Sequence, residues 1–301
     1  VAMINENIGT NKSEWTRLTG IITLEPIKGW QTELKVSTNR YNGNTESYTT
    51  HYYYTQETEN SNGTAYKGSD NSESNQLELT SKYDKVINGV HRLSALAGYS
   101  YQYDMYESMY ASNHDFLTDA YLYNRLGSGL ALTGGPDDNE RAYMGSDKND
   151  SQLIGFFGRI SYGYKDKYNV LMSMRYEGST KFGEDYKWGA FPAVSAGWTI
   201  SNEDFMQGIS WLNNLKLRVG YGITGVIPFS SYKSQVLWNY GDYYYLNSSG
   251  KWDSPLEVKQ NPNPKLKWET TGELNAGIDF SVLDDRLSGS VDFYDKETHD
   301  L

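Results

Sequence analysis

Apolar and polar residues alternate along much of this chain with a period of two, the spacing of side chains on one face of a β-strand. The pattern is plainest in the stretch 158–205. There Tyr168, Val170, Met172, Met174 and Tyr176 share one face, and Asn169, Leu171, Ser173, Arg175 and Glu177 share the other. Alternation and turn residues together predict ten strands, over 14–25, 30–41, 74–84, 90–106, 152–164, 168–182, 190–200, 214–224, 266–281 and 287–299. In the eighth, Leu215, Leu217, Val219 and Tyr221 oppose Lys216, Arg218, Gly220 and Gly222. In the ninth, Leu274, Ala276, Ile278 and Phe280 oppose Glu273, Asn275 and Asp279. A soluble sandwich would turn such an apolar face to its core. A membrane barrel would turn it to lipid, with aromatics at both interfaces and the polar face lining a wet lumen.

The connections separate these readings. Residues 25–29, 84–89, 165–167 and 283–286 carry the Pro, Gly, Asn and Asp of tight turns. Between them fall long segments at 42–73, 107–151 and 225–265. The joins at 183–189 and 201–213 depart from the alternation in length, and Ser201-Asn202-Glu203-Asp204 suits a helical turn in the second. Thr118 is placed to cap a short helix over 119–126 that Gly127 would end. Short and long joins in turn are the topology of an outer-membrane barrel, whereas a soluble domain seldom carries several long structureless loops. The fold predicted is therefore all-β, an antiparallel transmembrane barrel segment with long extracellular loops.

Composition agrees. The 301 residues include 27 tyrosines and 29 glycines, carry a net charge of −11 and contain no cysteine. Aromatic residues suit a pleated surface. No apolar run reaches about 18 residues, which excludes a helical membrane protein but not a barrel. The acidic balance argues against a nucleic-acid partner, and the lack of cysteine excludes disulfides and thiolate zinc sites. Val1 opens the chain without an initiator methionine or leader, and Leu301 follows a strand-like run. The chain is expected to be a segment of a longer protein.

Chemistry-bearing residues are few. His51, His91, His114 and His299 are scattered and form no HExxH pair, and neither a GxSxG elbow nor a phosphate loop occurs. No catalytic residue is assigned, and no enzyme is expected. Asp137, Asp138 and Glu140 are oxygen donors that suit Ca²⁺, or simply a solvated acidic turn. The binding candidates are aromatic clusters in the long segments: Tyr52, Tyr53 and Tyr54, then Trp238, Tyr243, Tyr244, Tyr245 and Trp252. Such rings offer rigid amphipathic contact area to a saccharide, a peptide or a partner, or else pack the loops on one another. Trp30, Tyr99, Tyr162, Trp198 and Tyr221 read as an interface girdle. Arg159, Arg175 and Arg218 lie on polar faces, either as a charged lumen lining or in ion pairs with Glu177, Glu273 and Asp279.

Five blocks in one order carry a resemblance. They are Tyr164-Lys165-Asp166-Lys167-Tyr168 with the 175–183 run RYEGSTKFG, the 189–198 run GAFPAVSAGW, the 215–225 run LKLRVGYGITG, the 263–271 run NPKLKWETT and the 292–296 run DFYDK. With these blocks the chain resembles the SusC/RagA family of TonB-dependent outer-membrane transporters of the Bacteroidetes. It departs in Glu177-Gly178-Ser179-Thr180-Lys181-Phe182, where the family usually has Asp-Gly-Ser-Ser-Arg-Phe. The resemblance implies about ten strands of a plugged barrel of about 22 strands, with plug, N-terminal extension and C-terminal strands absent. It implies import of oligomeric nutrients, glycan-derived oligosaccharides before oligopeptides. A SusD-like lipoprotein lid and the TonB–ExbB–ExbD system would be partners, and no cofactor is implied. A passive porin, a surface adhesin on a barrel anchor and a soluble sugar-binding β-protein are the rival readings.

Overall fold

A computed structural model describes residues 5–54, 62–133, 142–227, 230–240, 245–253 and 255–300. In chain order the strands are β1 (Asn7–Ile27), β2 (Trp30–Thr49), β3 (Thr64–Ile87), β4 (His91–His114), β5 (Tyr143–Tyr164), β6 (Tyr168–Ser179), β7 (Trp188–Thr199), β8 (Leu212–Val226), β9 (Leu237–Tyr240), β10 (Tyr245–Leu246), β11 (Trp252–Asp253), β12 (Leu256–Gln260), β13 (Glu269–Val282) and β14 (Leu287–His299). The long ones form one antiparallel sheet in the order β1-β2-β3-β4-β5-β6-β7-β8-β13-β14. Each of the ten predicted strands is present.

Tight turns form where the sequence supplies residues that tolerate a left-handed backbone. Asn88 and Gly89 join β3 to β4 at φ 52° and 69°, and Lys165 and Asp166 join β5 to β6 at 51° and 55°. Both conformations match the right-handed twist of a hairpin. Leu283, Asp284 and Asp285 also take positive φ. Asn213 Oδ1 steadies that turn by accepting from the Asp284 and Asp285 amides at 3.0 and 3.4 Å.

Three expectations need correction. Much of 42–73 and 107–151 is strand rather than loop, because β2 to β5 run on to Thr49, Thr64, His114 and Tyr143. The segment 225–265 contains two small antiparallel ladders, β9 with β12 and β10 with β11. The capped helix at 119 is a 3₁₀ segment, Asp119–Ser128, broken by non-helical backbone at Leu122 and Arg125. Its cap is as expected, with Thr118 Oγ1 accepting from the Ala120 amide at 3.2 Å. It closes at Gly129, not Gly127.

The described chain divides into two units. The first comprises Val1–Thr19, Ser37–Asn75 and Tyr103–Asp150. Its small core joins Tyr48, Ala65 and Phe116 to Leu122, Tyr123 and Leu126. The Tyr48 hydroxyl, fully buried, donates to Asp119 at 2.7 Å. Burial, then this carboxylate, push its pKa upward.

The second unit comprises Gly20–Val36, Gln76–Gln102 and Ser151–Leu301. Its buried cluster is Phe182, Phe191 and Trp268, packed by Leu153, Ile223, Ile227 and Leu266. The ring centroids of Phe182 and Phe191 lie 4.9 and 5.1 Å from that of Trp268. Trp268 Nε1 donates to the Lys187 carbonyl at 3.0 Å, and the Gly183 amide donates to the Leu266 carbonyl at 3.2 Å. A Cβ on Gly183 would fall 1.9 Å from the Pro264 carbonyl oxygen, so only glycine fits there. Four of the sequence blocks singled out above meet in this one joint. That is why β6 stops at Ser179 and β13 starts at Glu269, inside the predicted limits.

Candidate functional site

The two faces of the second unit are the reverse of a soluble protein's. The apolar row is the open one: Met172 is 55% exposed, Val219 50% and Ile278 43%. The polar row beneath is half-buried at Ser173, Arg218 and Asp279, and buried at Gly277. Direct cross-strand pairs continue the apolar row without a break, Val170 to Ala196, Ala196 to Val219, Val219 to Ala276 and Ala276 to Phe293.

Aromatic rings bound this apolar band at both ends. Toward the tight turns, Tyr168 stacks with Tyr164 and with Trp198, each at 6.5 Å between centroids. Toward the longer joins, Trp188 stacks on Tyr176 at 4.8 Å and on Phe156 at 6.3 Å. Trp188 and Trp198 share one face of β7. The chain between them is about 33 Å long at about 3.3 Å per residue, or about 25 Å along the bilayer normal at a strand tilt of about 40°. That matches the apolar height of an outer-membrane barrel.

The turn-side belt is anchored by Glu203, whose side chain is only 12% exposed. Its carboxylate accepts from the Tyr168 hydroxyl at 2.6 Å, from Lys167 Nζ at 2.9 Å and from Trp198 Nε1 at 3.0 Å. The Tyr168 bond first, then those of Lys167 and Trp198, hold its pKa down at about 2. A carboxylate depressed on folding adds stability above its unfolded value, and that stability fades as pH falls through the folded one. The thermal stability of the detergent-solubilised protein should therefore exceed that of Glu203→Gln above about pH 4.5 and converge with it toward about pH 2. A gap independent of pH would mean that the carboxylate is not the anchor.

On the polar face several of the charges are paired. Arg218 donates twice to Asp279, at 2.7 Å each, and reaches Asp292 at 3.1 Å. Lys296 pairs with Glu273 at 3.1 Å, and Arg175 pairs with the buried Glu177. Arg159 stands on the same face, directly opposite Ser173. Arg175, Arg218 and Glu273 are thus in an ion-paired arrangement.

The loop aromatics fall in two places. Tyr52 is 74% exposed with His51 against its ring, and Tyr53 packs on Tyr54 at 5.0 Å. In the second unit, Trp238 lies opposite Val258 and Tyr240 opposite Leu256, so these four share one face of the β9–β12 ladder. Tyr245 is exposed on β10, and Trp252 pairs with Leu246 through the backbone. Tyr243, Tyr244, Asp137, Asp138 and Glu140 lie outside the described residues. Among those described, no group of three His, Cys, Asp or Glu could hold a metal.

Sequence reasoning missed a further aromatic surface in the first unit. Tyr66, Tyr110 and Tyr143 sit side by side on β3, β4 and β5, with centroids 6.5 and 6.0 Å apart. A signal was present in the repeated pattern Tyr41-Asn42-Gly43, Tyr66-Lys67-Gly68 and Tyr143-Met144-Gly145. It was hidden inside stretches that read as loop.

An open apolar band between aromatic belts, backed by paired charges, defines the wall of a transmembrane β-barrel. The chain belongs to the TonB dependent receptor-like, beta-barrel family, whose model matches residues 5–301. That membership places it in the bacterial outer membrane. It is 37% identical over 227 residues to TonB-dependent receptor P39 of Formosa agariphila, covering 75% of this chain and 20% of that protein. It is 36% identical over 159 residues to TonB-dependent receptor SusC of Bacteroides thetaiotaomicron, covering 50% of this chain and 15% of that one. The RagAB peptide importer in its closed-closed state superposes with a TM-score of 0.84 at 25% identity, over 99% of this chain and 31% of the other. The chain thus spans about a fifth of the length of the curated relatives it matches.

Proposed function

We propose that this chain is part of the wall of a TonB-dependent importer that carries oligomeric nutrients across the outer membrane. The observation that carries the reading is the inverted wall, with its ion-paired polar face, in a chain of this family. In a protein as long as its relatives, a plug within the barrel and a segment touching TonB would come from outside these residues. A SusD-like lipoprotein would close the mouth, and TonB–ExbB–ExbD would supply energy. Nothing in this role requires a cofactor or an enzymatic step.

Oligosaccharides are the substrate class we favour, on the strength of the exposed rings Tyr52, Trp238 and Tyr240. The likeness to a peptide importer supports oligopeptides as the second reading. Growth of the native bacterium on candidate polymers, with and without TonB, tests the importer reading. Growth that requires both this gene and TonB is expected. Uptake that continues without TonB would point instead to a passive porin, and no uptake phenotype at all to an adhesin.

A further inference from the structure

The ring surface on β3, β4 and β5 is built for contact. Within the first unit, Tyr66 lies down over Gly68, where a Cβ would fall 2.7 Å from its hydroxyl and 3.1 Å from its ring. Tyr110 lies over Gly145 on the next strand, where a Cβ would come within 2.5 Å. Each glycine lets a ring settle close on the backbone, Tyr66 half-buried and Tyr110 40% exposed. The planes of Tyr66 and Tyr110 differ by only 17°. Tyr143 stands at 64° to Tyr110 and is 57% exposed, making a wall beside this floor.

Within the strand stretches that carry the platform, its face bears charge of one sign. Tyr106 donates to Asp70 at 2.9 Å, and the charge of Asp147 also reaches its hydroxyl. By strand alternation Asp70 shares a face with Tyr66 and Gly68, and Asp147 with Tyr143 and Gly145. The only lysines in these stretches of β3 to β5, Lys67 and Lys148, point to the opposite face. There they are held by Glu46 at 2.6 Å and Glu107 at 3.5 Å. The platform therefore offers aromatic faces and carboxylate acceptors, with no cation of the three strand stretches beside them.

We propose that Tyr66, Tyr110 and Tyr143 form a stacking subsite for uncharged oligosaccharides, and that Asp70 and Asp147 exclude sulfated or uronate-bearing chains from it. The proposal rests on the importer reading and narrows it. Sugar rings present flat C–H faces to the tyrosines and hydroxyl donors to the carboxylates. Anionic substituents would meet the carboxylates of Asp70 and Asp147 and would be repelled.

The test uses the full-length protein in detergent on an array of neutral linear hexasaccharides (glucan, mannan, xylan, galactan) beside their chemically sulfated counterparts, with lysine-rich hexapeptides as a third set. Binding confined to neutral saccharides is expected. The double variant Tyr110→Ala/Tyr143→Ala should weaken it by about tenfold or more, whereas Tyr110→Phe/Tyr143→Phe should restore it to within about threefold. The phenylalanine pair separates lost stacking from lost folding. Asp70→Asn/Asp147→Asn should gain sulfated chains. Equal binding of sulfated chains by the wild type, binding of peptides alone, no binding, or indifference to the alanine pair would each overturn the proposal. Nutrient uptake that still depends on TonB in that case would leave the importer reading standing.

Discussion

Arginine in place of Met172 or Ile278 is expected to destabilise the folded barrel by about 2–4 kcal/mol, and arginine at Ser195 or Ser290 by no more than about 1. Met172 lies midway between the belt residues Tyr168 and Tyr176 on β6, and Ile278 lies in the same band, opposite Leu217 and Val291. A guanidinium there would sit in hydrocarbon, where no water can solvate it. Ser195 and Ser290 point the other way, and Ser290 lies directly opposite Asp279, whose carboxylate a new arginine would share with Arg218. Reversible folding into lipid vesicles, followed by denaturant titration of each variant, reads the difference. Equal costs on the two faces would reverse the orientation assigned to the sheet.

Trp268→Ala is expected to cost about 3–5 kcal/mol, the usual range for removing a buried tryptophan. Trp268 is 4% exposed, touches Phe182 and Phe191, and closes the Lys187 carbonyl with its indole N–H. Its loss opens a cavity and removes one of the two donors to that carbonyl, the other being the Ser179 amide at 3.1 Å. The joint ties the end of β6 and the start of β7 to the start of β13, so the damage should spread to the β9–β12 segment between β8 and β13. The same titration measures the cost, and limited proteolysis within 227–268 should become faster. A variant as stable as the parent would remove the joint from the account.

Strand alternation was legible in the sequence wherever the two faces meet different surroundings. From Leu215 to Tyr221 one face meets lipid and the other a polar interior, and the predicted strand is the observed one within a few residues. Beyond the apolar band both faces carry mostly polar residues, and the signal disappears. That is why Thr64–Glu73 on β3 and Glu107–His114 on β4 read as loop although they are strand. The joint was legible only as a string of blocks. Trp268 is far in sequence from Phe182 and Phe191, and nothing local says that they touch. The ion pairs of Arg175 and Arg218 were named among the alternatives, because alternation fixed the face and the nearby acids. The tyrosine floor escaped notice because a ring and its glycine are close in space only once the strand is recognised.

The absence of cysteine leaves the chain free for a single-cysteine scan along β13, from Glu273 to Phe280. With a nitroxide at each position in turn, collision with oxygen dissolved in lipid and with a water-soluble nickel chelate reports what each side chain meets. Oxygen contact should peak at Leu274, Ala276, Ile278 and Phe280 and dip at Glu273, Asn275, Gly277 and Asp279. Low access to both reagents at the first set would mean a dry protein interior on that side, and the barrel wall described here would be wrong.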